Sequence, residues 1–405
     1  MDSQPAPNAR SLRVVFTMGP GDIVQSFKQW LDGDKLGGAP ALTYTAQTLD
    51  FCHQAHCAGW LISCSEHAAL LEADGHRVEN RPKPRSSGRG LAFHWQQWLY
   101  CLSLVRSAKA WRATHLVVDS GTTHWFMLMA AVWSGIEVHV SFHNTYYIVG
   151  HWRGSPAKNL IRWLDGGFFK WGSSGALGVS QECGKQYEEL GGDAKTFRLY
   201  NALFRTSDFA HFCPKPSPSD ALHLLYVGRL EVDKGVIDLL QAAELLAKQW
   251  PERRVVLSYC GDGPAAALVE DELARIPALK AHIHLLGHLN REALLDAYER
   301  CDVVVVPTTS WFMEGFPKVA AEAMLARRPL IISDAVPTVC GLLSAACIYR
   351  ADDPADLARA MGHVWLDEGV YTQLAHATAA VAERFTDPEQ GLCAALGRAL
   401  LPTSS

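Results

Sequence analysis

The stretch that decides the fold is residues 223–249, HLLYVGRLEVDKGVIDLLQAAELLAKQ. Residues 224–227 are apolar at four consecutive positions, as in strands that are covered by helices on both faces. A polar loop follows at residues 228–235, and residues 236–249 carry apolar side chains at helical spacing. A strand, a loop and a helix in this order predict a βαβ unit of a parallel sheet.

The same order of elements recurs on both sides of this stretch. Residues 205–221 interrupt it with three prolines in five residues from Pro214, and such a segment predicts a linker. The sequence thus predicts an α/β protein with two Rossmann-like, doubly wound domains that face each other across a cleft. We expect an N-terminal domain over 1–205, a linker over 206–222, a second domain over 223–380, and a C-terminal helix within 381–405 that packs back toward the first domain. Strand-like runs lie at residues 13–18, 60–64, 76–78, 114–119, 137–142 and 176–180, and then at 223–227, 255–260, 282–286, 302–307 and 329–333.

Composition narrows the class of protein. The 405 residues are 48% apolar and 20% charged, which is typical of globular domains and argues against disordered chains. A net charge of -5 argues against a nucleic-acid binder. The 11 cysteines have no framework spacing, and the longest apolar run has nine residues. With no secretory pattern at the start, these features predict a cytoplasmic protein with reduced thiols, and they leave peripheral membrane contact open.

Two cations flank the loop after residues 223–227. Arg229 and Lys234 lie between the end of the strand and the start of the helix. In open α/β sheets ligands bind beyond the carboxyl ends of strands. Cations and free helix N–H groups together suit a diphosphate. The alternative is a solvated turn with incidental charges.

Two carboxylates stand eight residues apart after residues 302–307. Glu314 lies in the loop, and Glu322 lies about one turn into the following helix. A carboxylate can accept two hydrogen bonds from neighbouring sugar hydroxyls, and Gly315 allows close approach of a ligand to the backbone. The alternative is one surface glutamate and one that interacts with the helix dipole.

These motifs together resemble glycosyltransferase family 4 over about residues 223–335. The resemblance implies a GT-B fold and a retaining enzyme that takes a sugar from a nucleotide-sugar donor. It also implies that no metal cofactor is needed. The motifs are Gly228-Arg229-Leu230 with Lys234-Gly235, Gly261-Asp262-Gly263-Pro264, Leu286-Gly287-His288-Leu289, and Glu314-Gly315-Phe316 with Glu322.

The resemblance assigns roles to single positions. Arg229 and Lys234 bind the diphosphate and assist its departure, Glu314 contacts the donor sugar, and Glu322 holds the ribose. The backbone N–H groups of Gly315 and Phe316 are further contacts with the donor. The base of the nucleotide is expected near the backbone of His288 and Leu289. Pro317 departs from the glycine common in the family and removes one N–H donor. Lys318 is an additional anion contact or a solvated lysine.

The first half of the chain resembles the family less closely. Gly19 and Gly21 follow the first strand, and Gly37-Gly38 precedes a later helix. Either pair can fill the place of the family's donor-facing glycine loop, or be a plain turn. His143 follows residues 137–142 and resembles the family's active-site histidine, with a loop histidine as the alternative.

Three other polar or aromatic groups merit separate interpretation. Asp119 and His124 form a second candidate pair for the cleft. The run Cys52-His53-Gln54-Ala55-His56-Cys57 offers metal ligands, but on a helix its two i,i+4 pairs point about 100° apart, so we expect no metal there. Residues 151–172 interleave cations with aromatic residues including Phe168, Phe169 and Trp171, which predicts either contact with a membrane surface or ordinary packing on the sheet.

The sequence therefore favours a glycosyltransferase that uses a nucleotide-sugar donor, with a UDP-sugar preferred, and a glycan or lipid-linked sugar acceptor. Two alternatives stay open. One is a GT-B relative with other chemistry, such as a nucleotide-sugar epimerase or a sugar-phosphate synthase. The other is a two-domain sugar-binding protein without catalytic activity.

Overall fold

The computed structural model describes residues 12–38, 40–83, 90–121, 124–148, 156–337 and 341–401. Of the stretch 151–172, the first five residues lie outside this described part. The fold class predicted from the alternation of strands and helices is confirmed, since two sheets of mainly parallel strands are each flanked by helices.

The first sheet has eight strands within the described residues. They are β1 (Arg13–Met18), β2 (Ala58–Ser63), β3 (Ala69–Ala73), β4 (His76–Asn80), β5 (His115–Asp119), β6 (Glu137–Phe142), β7 (Ser173–Gly178) and β8 (Phe197–Leu199). Their order is β3-β4-β2-β1-β5-β6-β7-β8. All neighbours pair in parallel except β3 and β4, which form an antiparallel hairpin at the edge.

The helices of this half lie between the strands in the chain. The first, α1, begins after Asp22, whose side chain accepts a hydrogen bond from the backbone N–H of Gln25; such a cap satisfies an otherwise unpaired donor. The second, α2, is capped in the same way by Thr43. The helices are α1 (Ile23–Leu31), α2 (Tyr44–Gln54), α3 (Leu91–Ala110), α4 (Met129–Val132), α5 (Pro156–Trp171), α6 (Gln181–Glu189) and α7 (Thr206–Phe209).

The second sheet, counted over the described residues, has six strands that all pair in parallel. They are β9 (Ala221–Val227), β10 (Arg254–Cys260), β11 (Ile283–Leu285), β12 (Val303–Val306), β13 (Leu330–Ser333) and β14 (Ala346–Tyr349). Their order is β11-β10-β9-β12-β13-β14. The intervening and following helices are α8 (Val236–Gln249), α9 (Ala266–Ala274), α10 (Arg291–Arg300), α11 (Lys318–Leu325), α12 (Pro354–Leu366), α13 (Glu368–Ala382) and α14 (Leu392–Leu400).

The strand order reverses between β9 and β12, which are neighbours in the sheet but far apart in the chain. At such a switch point the loops after the two strands diverge to opposite faces and leave a crevice. The loop after β9 carries Arg229 and Lys234, and the loop after β12 carries Glu314. The topology thus brings these three side chains to one edge of the sheet.

Three strands, β3, β8 and β14, were not predicted from the sequence. Each has at most two fully buried residues, and β3 lies at an edge of its sheet. Strands of this kind lack the consecutive apolar residues that mark a central parallel strand. Their existence depends on the neighbour with which they pair.

The last helix, α14, packs against α2 and β7 of the first sheet. Gln47 of α2 is buried, and its Oε1 accepts a hydrogen bond of 2.9 Å from the backbone N–H of Leu392. Leu392, Leu396 and Leu400 lie in the hydrophobic core of the first domain. The chain therefore returns from the second domain to complete the core of the first.

We predict that Gln47→Leu lowers the stability of the first domain by about 1–3 kcal/mol, because it leaves the buried N–H at the start of α14 without an acceptor. Thermal unfolding followed by tryptophan fluorescence measures this, since ten of the 13 tryptophans precede residue 172. Gln54→Leu is the matched control: this exposed residue of the same helix faces Cys393, and its replacement should have little effect. Equal melting temperatures for the two variants would contradict the role given to Gln47.

Candidate active site

The loops after β9 and β12 are bound tightly to each other. Gly235 has a φ of 73°, and a Cβ atom there would lie 1.7 Å from the carbonyl oxygen of Pro307. Only glycine fits this position, because a side chain would meet the backbone of the neighbouring loop. The hydroxyl of Thr309 also donates a hydrogen bond of 2.8 Å to the carbonyl oxygen of Asp233. The Lys-Gly pair of the motif therefore fixes Lys234 against the β12 loop.

Lys234 and Glu314 form an ion pair in this position. The Lys234 Nζ lies 2.5 Å from Glu314 Oε2, and the ammonium lies 3.9 Å from the centre of the Phe312 ring. Glu314 is only 8% exposed, so the pair is largely withdrawn from water. Removing two charges from water is unfavourable. The burial of this pair is therefore better explained by a ligand that binds both Lys234 and Glu314 than by a gain in stability.

Two cavities open beside this pair and share residues Val227, Gly228 and Arg229 of the β9 end. The first has a volume of about 270 Å³, and its lining includes Lys234, Glu314 and Pro317. The second has a volume of about 360 Å³, and its lining includes Asp262, His288 and Leu289. The structure thus brings together six residues that the sequence analysis selected: Arg229, Lys234, His288, Leu289, Glu314 and Pro317.

Arg229 stands at the junction of the two cavities. Its side chain is 67% exposed and lies 2.6 Å from Glu231 Oε1. An exposed ion pair of this kind contributes little to stability. The guanidinium can therefore leave Glu231 for a phosphate at small cost, and it can form two parallel hydrogen bonds with it.

Glu322 is placed differently. It is 6% exposed and is not among the residues that line either cavity. Its Oε2 accepts a hydrogen bond of 2.5 Å from the hydroxyl of Tyr298. Burial raises the pKa of Glu322, an effect that the Tyr298 bond and Lys318 partly offset. Sequence reasoning did not find Tyr298, because it lies on α10, outside the motifs.

His143 extends from the end of β6 toward the second domain. Its Nδ1 lies 2.8 Å from the hydroxyl of Tyr200, and its ring centre lies 5.0 Å from that of Tyr44. Burial lowers the pKa of His143, although Asp119 acts in the opposite direction, so the imidazole is neutral at neutral pH. Sequence analysis missed Tyr44 and Tyr200, since lone tyrosines carry no motif signal.

The two domains touch at Gly315. A Cβ atom there would lie 2.1 Å from the carbonyl oxygen of His143, so the glycine lets the β12 loop reach the histidine loop. The next residue, Phe316, packs its ring 5.4 Å from that of Phe385. Lys318, at the start of α11, places its ammonium 4.9 Å from the centre of the Tyr44 ring. Residues of the Glu-Gly-Phe motif thus form part of the domain contact.

The glycine pairs of the first domain lie outside the two cavities. Gly19 and Gly21 follow β1 and precede α1, and neither lines either cavity. Gly37 and Gly38 both have positive φ angles and lie between α1 and α2. The helix α1 therefore separates the two pairs.

The second pair of cleft candidates has structural partners. Asp119 is 4% exposed and accepts a hydrogen bond of 2.6 Å from the hydroxyl of Thr17. His124 lies beside His94, with ring nitrogens 2.9 Å apart. These contacts join β5 to β1 and the loop after β5 to α3.

The four possible ligands within residues 52–57 do not converge. Cys52 and Cys57 are buried, whereas His53 and His56 are exposed. Among the described residues, the histidines, cysteines and carboxylates that approach one another closely enough for a metal ion do not include them.

The fold, together with a cationic and carboxylate-bearing site at a strand switch point, defines a two-domain GT-B architecture. Residues 221–367 match the family model described as Glycosyl transferases group 1. A glycogen synthase of Mycobacterium tuberculosis is 33% identical over 169 residues, which are 41% of this chain and 38% of that protein. The chain thus spans less than half of the length of the curated relatives it matches.

Solved structures extend the comparison to both domains. The sucrose-phosphate synthase from Thermosynechococcus elongatus has a TM-score of 0.68 and 15% identity, and the match covers 96% of this chain and 98% of that one. Anabaena HepE in complex with UDP has a TM-score of 0.60 and 16% identity, with 94% and 96% covered. The GT-B fold predicted from the motifs is confirmed, and so is their resemblance to glycosyltransferases.

We predict that Gly315→Ala separates the two domains, because its Cβ would overlap the carbonyl of His143. Overpacking of this kind costs about 1–3 kcal/mol. Small-angle scattering should show a larger radius of gyration, and the melting temperature should fall. The control is Gly397→Ala in α14, where a Cβ atom would meet nothing within 4 Å. If Gly315→Ala matched wild type in both measurements, the contact between the loops would not hold the domains together.

Proposed function

We propose that this protein is a retaining glycosyltransferase that moves a sugar from a nucleotide-sugar donor to a glycan or lipid-linked sugar acceptor. The observation that supports this most directly is the Lys234–Glu314 pair, which lines one of two cavities that meet at Arg229. A cation for the diphosphate and a carboxylate for sugar hydroxyls stand side by side there. The match of residues 221–367 to the group 1 glycosyl transferases supports the same activity.

The roles of the residues follow from their positions. Arg229 and Lys234 bind the diphosphate between the two cavities, and Glu314, released from Lys234, accepts hydrogen bonds from the donor sugar. The backbone of Gly315 and Phe316 contributes further contacts, and Lys318 supplies a third positive charge, at the domain contact. Tyr200 orients the neutral His143 toward the reacting region from the other domain.

Transfer breaks the bond between the anomeric carbon and the diphosphate oxygen, and it forms a bond from that carbon to the acceptor oxygen. In a front-face reaction the acceptor proton passes to the departing phosphate oxygen, and the configuration is retained. Negative charge develops on the diphosphate beside Lys234, which the loop contact holds in place, and beside Arg229, which leaves Glu231 to bind it. Stabilising charge that develops during the reaction is commonly the largest single contribution to catalysis. These residues complete the step without a metal ion.

The base of the donor belongs in the cavity lined by His288 and Leu289. We favour a UDP-sugar, and the UDP complex of Anabaena HepE, which has the same fold, supports this choice. Glu322 remains our candidate for the ribose; it would have to exchange its bond with Tyr298 for one with the ligand.

Two alternatives concern the reaction itself. A free sugar phosphate is one alternative product, and an epimerised nucleotide sugar is another. Analysis of the products from a labelled donor separates both from a glycoside. The third alternative, a sugar-binding protein without activity, would bind nucleotide-free sugar and release no nucleoside diphosphate.

The first test is thermal stabilisation by UDP, GDP and ADP, with and without EDTA. At one hundred times its dissociation constant, a ligand should add about 2.7 kcal/mol of stability. We expect one nucleoside diphosphate to raise the melting temperature by the same amount with and without EDTA. If none of the three does so on folded protein, the donor site is wrong; if EDTA removes the shift, the site needs a metal.

We predict that Lys234→Met lowers kcat/KM by about a hundredfold to a thousandfold, the usual loss when one charge-stabilising donor is removed. The rate is measured as release of nucleoside diphosphate. Lys248→Met is the matched control, because this lysine of α8 is 68% exposed and pairs only with Glu244 among the salt bridges of the described residues. Near-normal turnover of Lys234→Met at saturating donor would show that Lys234 has no role in the reaction.

A surface on α5 supports membrane contact by the same enzyme. Trp163 and Trp171 are each 73% exposed and Leu160 is 57% exposed, and the exposed Lys170 lies between them in the chain. Aromatic and basic side chains together suit the interface of an anionic membrane, where a lipid-linked acceptor is found. A groove of about 660 Å³ lies along this helix and shares no lining residue with the two donor cavities. No described helix is long and apolar enough to cross a membrane.

One part of the membrane interpretation is wrong. Phe168 and Phe169 are each 1% exposed and belong to the core of the first domain. They face the sheet because they lie on the side of α5 opposite to Trp163. The hypothesis of membrane contact therefore rests on the tryptophans and lysines of α5. The proposal that the enzyme works at the cytoplasmic face of the membrane rests on the same side chains.

We predict that the double variant Trp163→Ser/Trp171→Ser loses most of its binding to vesicles containing phosphatidylglycerol. The measurement is co-sedimentation, with phosphatidylcholine vesicles for comparison. Leu245→Ser is the control, since this residue is 42% exposed on α8. Equal sedimentation of the double variant and wild type would argue for a soluble acceptor.

A further inference from the structure

Two histidines and a glutamate meet at the amino ends of β5 and β6, at the end of the first sheet opposite to His143. His115 and Glu137 begin these strands and lie side by side in the parallel register. His139 lies two residues further along β6, so its side chain leaves the same face of the sheet as Glu137. One nitrogen or oxygen atom from each of the three residues lies within 4.8 Å of the others.

His139 is buried without a partner. It is 3% exposed, and neither ring nitrogen has a hydrogen-bond partner among the residues that the structure describes. Gly175 of β7 leaves room for the ring: a Cβ atom there would lie 3.3 Å from its Nδ1. Burying a polar ring without hydrogen bonds is unfavourable. A ligand that binds a ring nitrogen would explain why this ring is buried.

The tautomer of His115 follows from its neighbours. The hydroxyl of Thr114 donates its one hydrogen to the carbonyl oxygen of Arg13 at 3.0 Å. When the hydroxyl hydrogen points to Arg13, the His115 Nδ1, 2.9 Å from the same hydroxyl, donates to it. In the neutral ring, Nε2 then carries a lone pair, and it faces Glu137 Oε2 at 3.5 Å. Two acceptors that face each other across this gap suit a cation between them.

We propose that His115, Glu137 and His139 form a binding site for a divalent transition-metal ion, with Zn²⁺ the best fit. Two imidazole nitrogens and one carboxylate oxygen are a common ligand set for zinc. His139 Nε2 lies 4.0 Å from Glu137 Oε2, and the three ligand atoms lie within 4.8 Å of one another. Tetrahedral ligands of zinc lie about 3.3 Å apart, so the side chains must move together by up to about 1.5 Å to close the site. Glu137 has a side chain that is 61% exposed, which leaves the fourth position to water.

The role of this site is structural. From residue 137 to residue 143, β6 spans about 20 Å at about 3.3 Å per residue, so a metal here does not reach the donor. It would instead tie β5 to β6 at one end, while the other end of β6 carries His143. A hydrogen bond that orients a ligating histidine, as Thr114 orients His115, is typical of protein metal sites.

The test is titration of EDTA-dialysed protein with ZnCl2 by calorimetry, and with CoCl2 by visible absorption. We expect one equivalent to bind, a four-coordinate Co²⁺ spectrum, and a higher melting temperature. Glu137→Gln, at an exposed position, and His115→Gln, at a partly buried one, should each weaken binding at least about tenfold. His67→Gln, which changes an exposed histidine elsewhere, should bind as wild type.

Absence of stoichiometric binding by wild type would overturn the proposal, and so would undiminished binding by both ligand variants. The buried thiols of Cys52 and Cys57 are the competing ligands. If Cys52→Ser/Cys57→Ser abolishes binding while Glu137→Gln preserves it, the metal belongs to the thiols and the proposed site is wrong. Circular dichroism verifies that each variant is folded.

Discussion

The structure depends on the close contact of two loops at the point where the order of the second sheet reverses. The backbone of the β9 loop at Gly235 touches the backbone of the β12 loop at Pro307, and Lys234 and Glu314 meet at 2.5 Å above that contact. A buried ion pair is weak evidence for stability. It is stronger evidence for a site, because the loop contact holds the Lys234 ammonium in place before negative charge develops on a ligand.

The first domain completes this site without sharing its sheet. The carbonyl of His143 reaches the glycine of the Glu-Gly-Phe motif, and Lys318 of the second domain lies over Tyr44 of the first. The chain also crosses between the domains a second time, since α14 packs on α2. A double crossing limits how far the domains can separate.

The first sheet has chemistry at both ends of its strands. Its carboxyl ends present His143 to the cleft, whereas its amino ends hold the orphaned ring of His139 beside His115 and Glu137. Loops at the carboxyl ends of parallel strands commonly bind ligands. Loops at the amino ends commonly contribute to stability. A metal at the amino ends would act on the rigidity of β5 and β6 and leave the donor contacts unchanged.

Sequence alone determined the parallel character of both sheets and the side chains at the carboxyl ends of β9 and β12. Runs such as residues 303–306, four valines, must be buried on both faces, and loops after such strands necessarily meet at one edge. Tertiary structure alone decided which face of α5 is exposed, so that Phe168 and Phe169 joined the core while Trp163 and Trp171 did not. It also decided that His143 contacts Tyr200 and that Glu322 contacts Tyr298. It placed His115 close to His139. Those contacts join residues far apart in the chain, and no local pattern records them because they arise from strand register and from packing between elements.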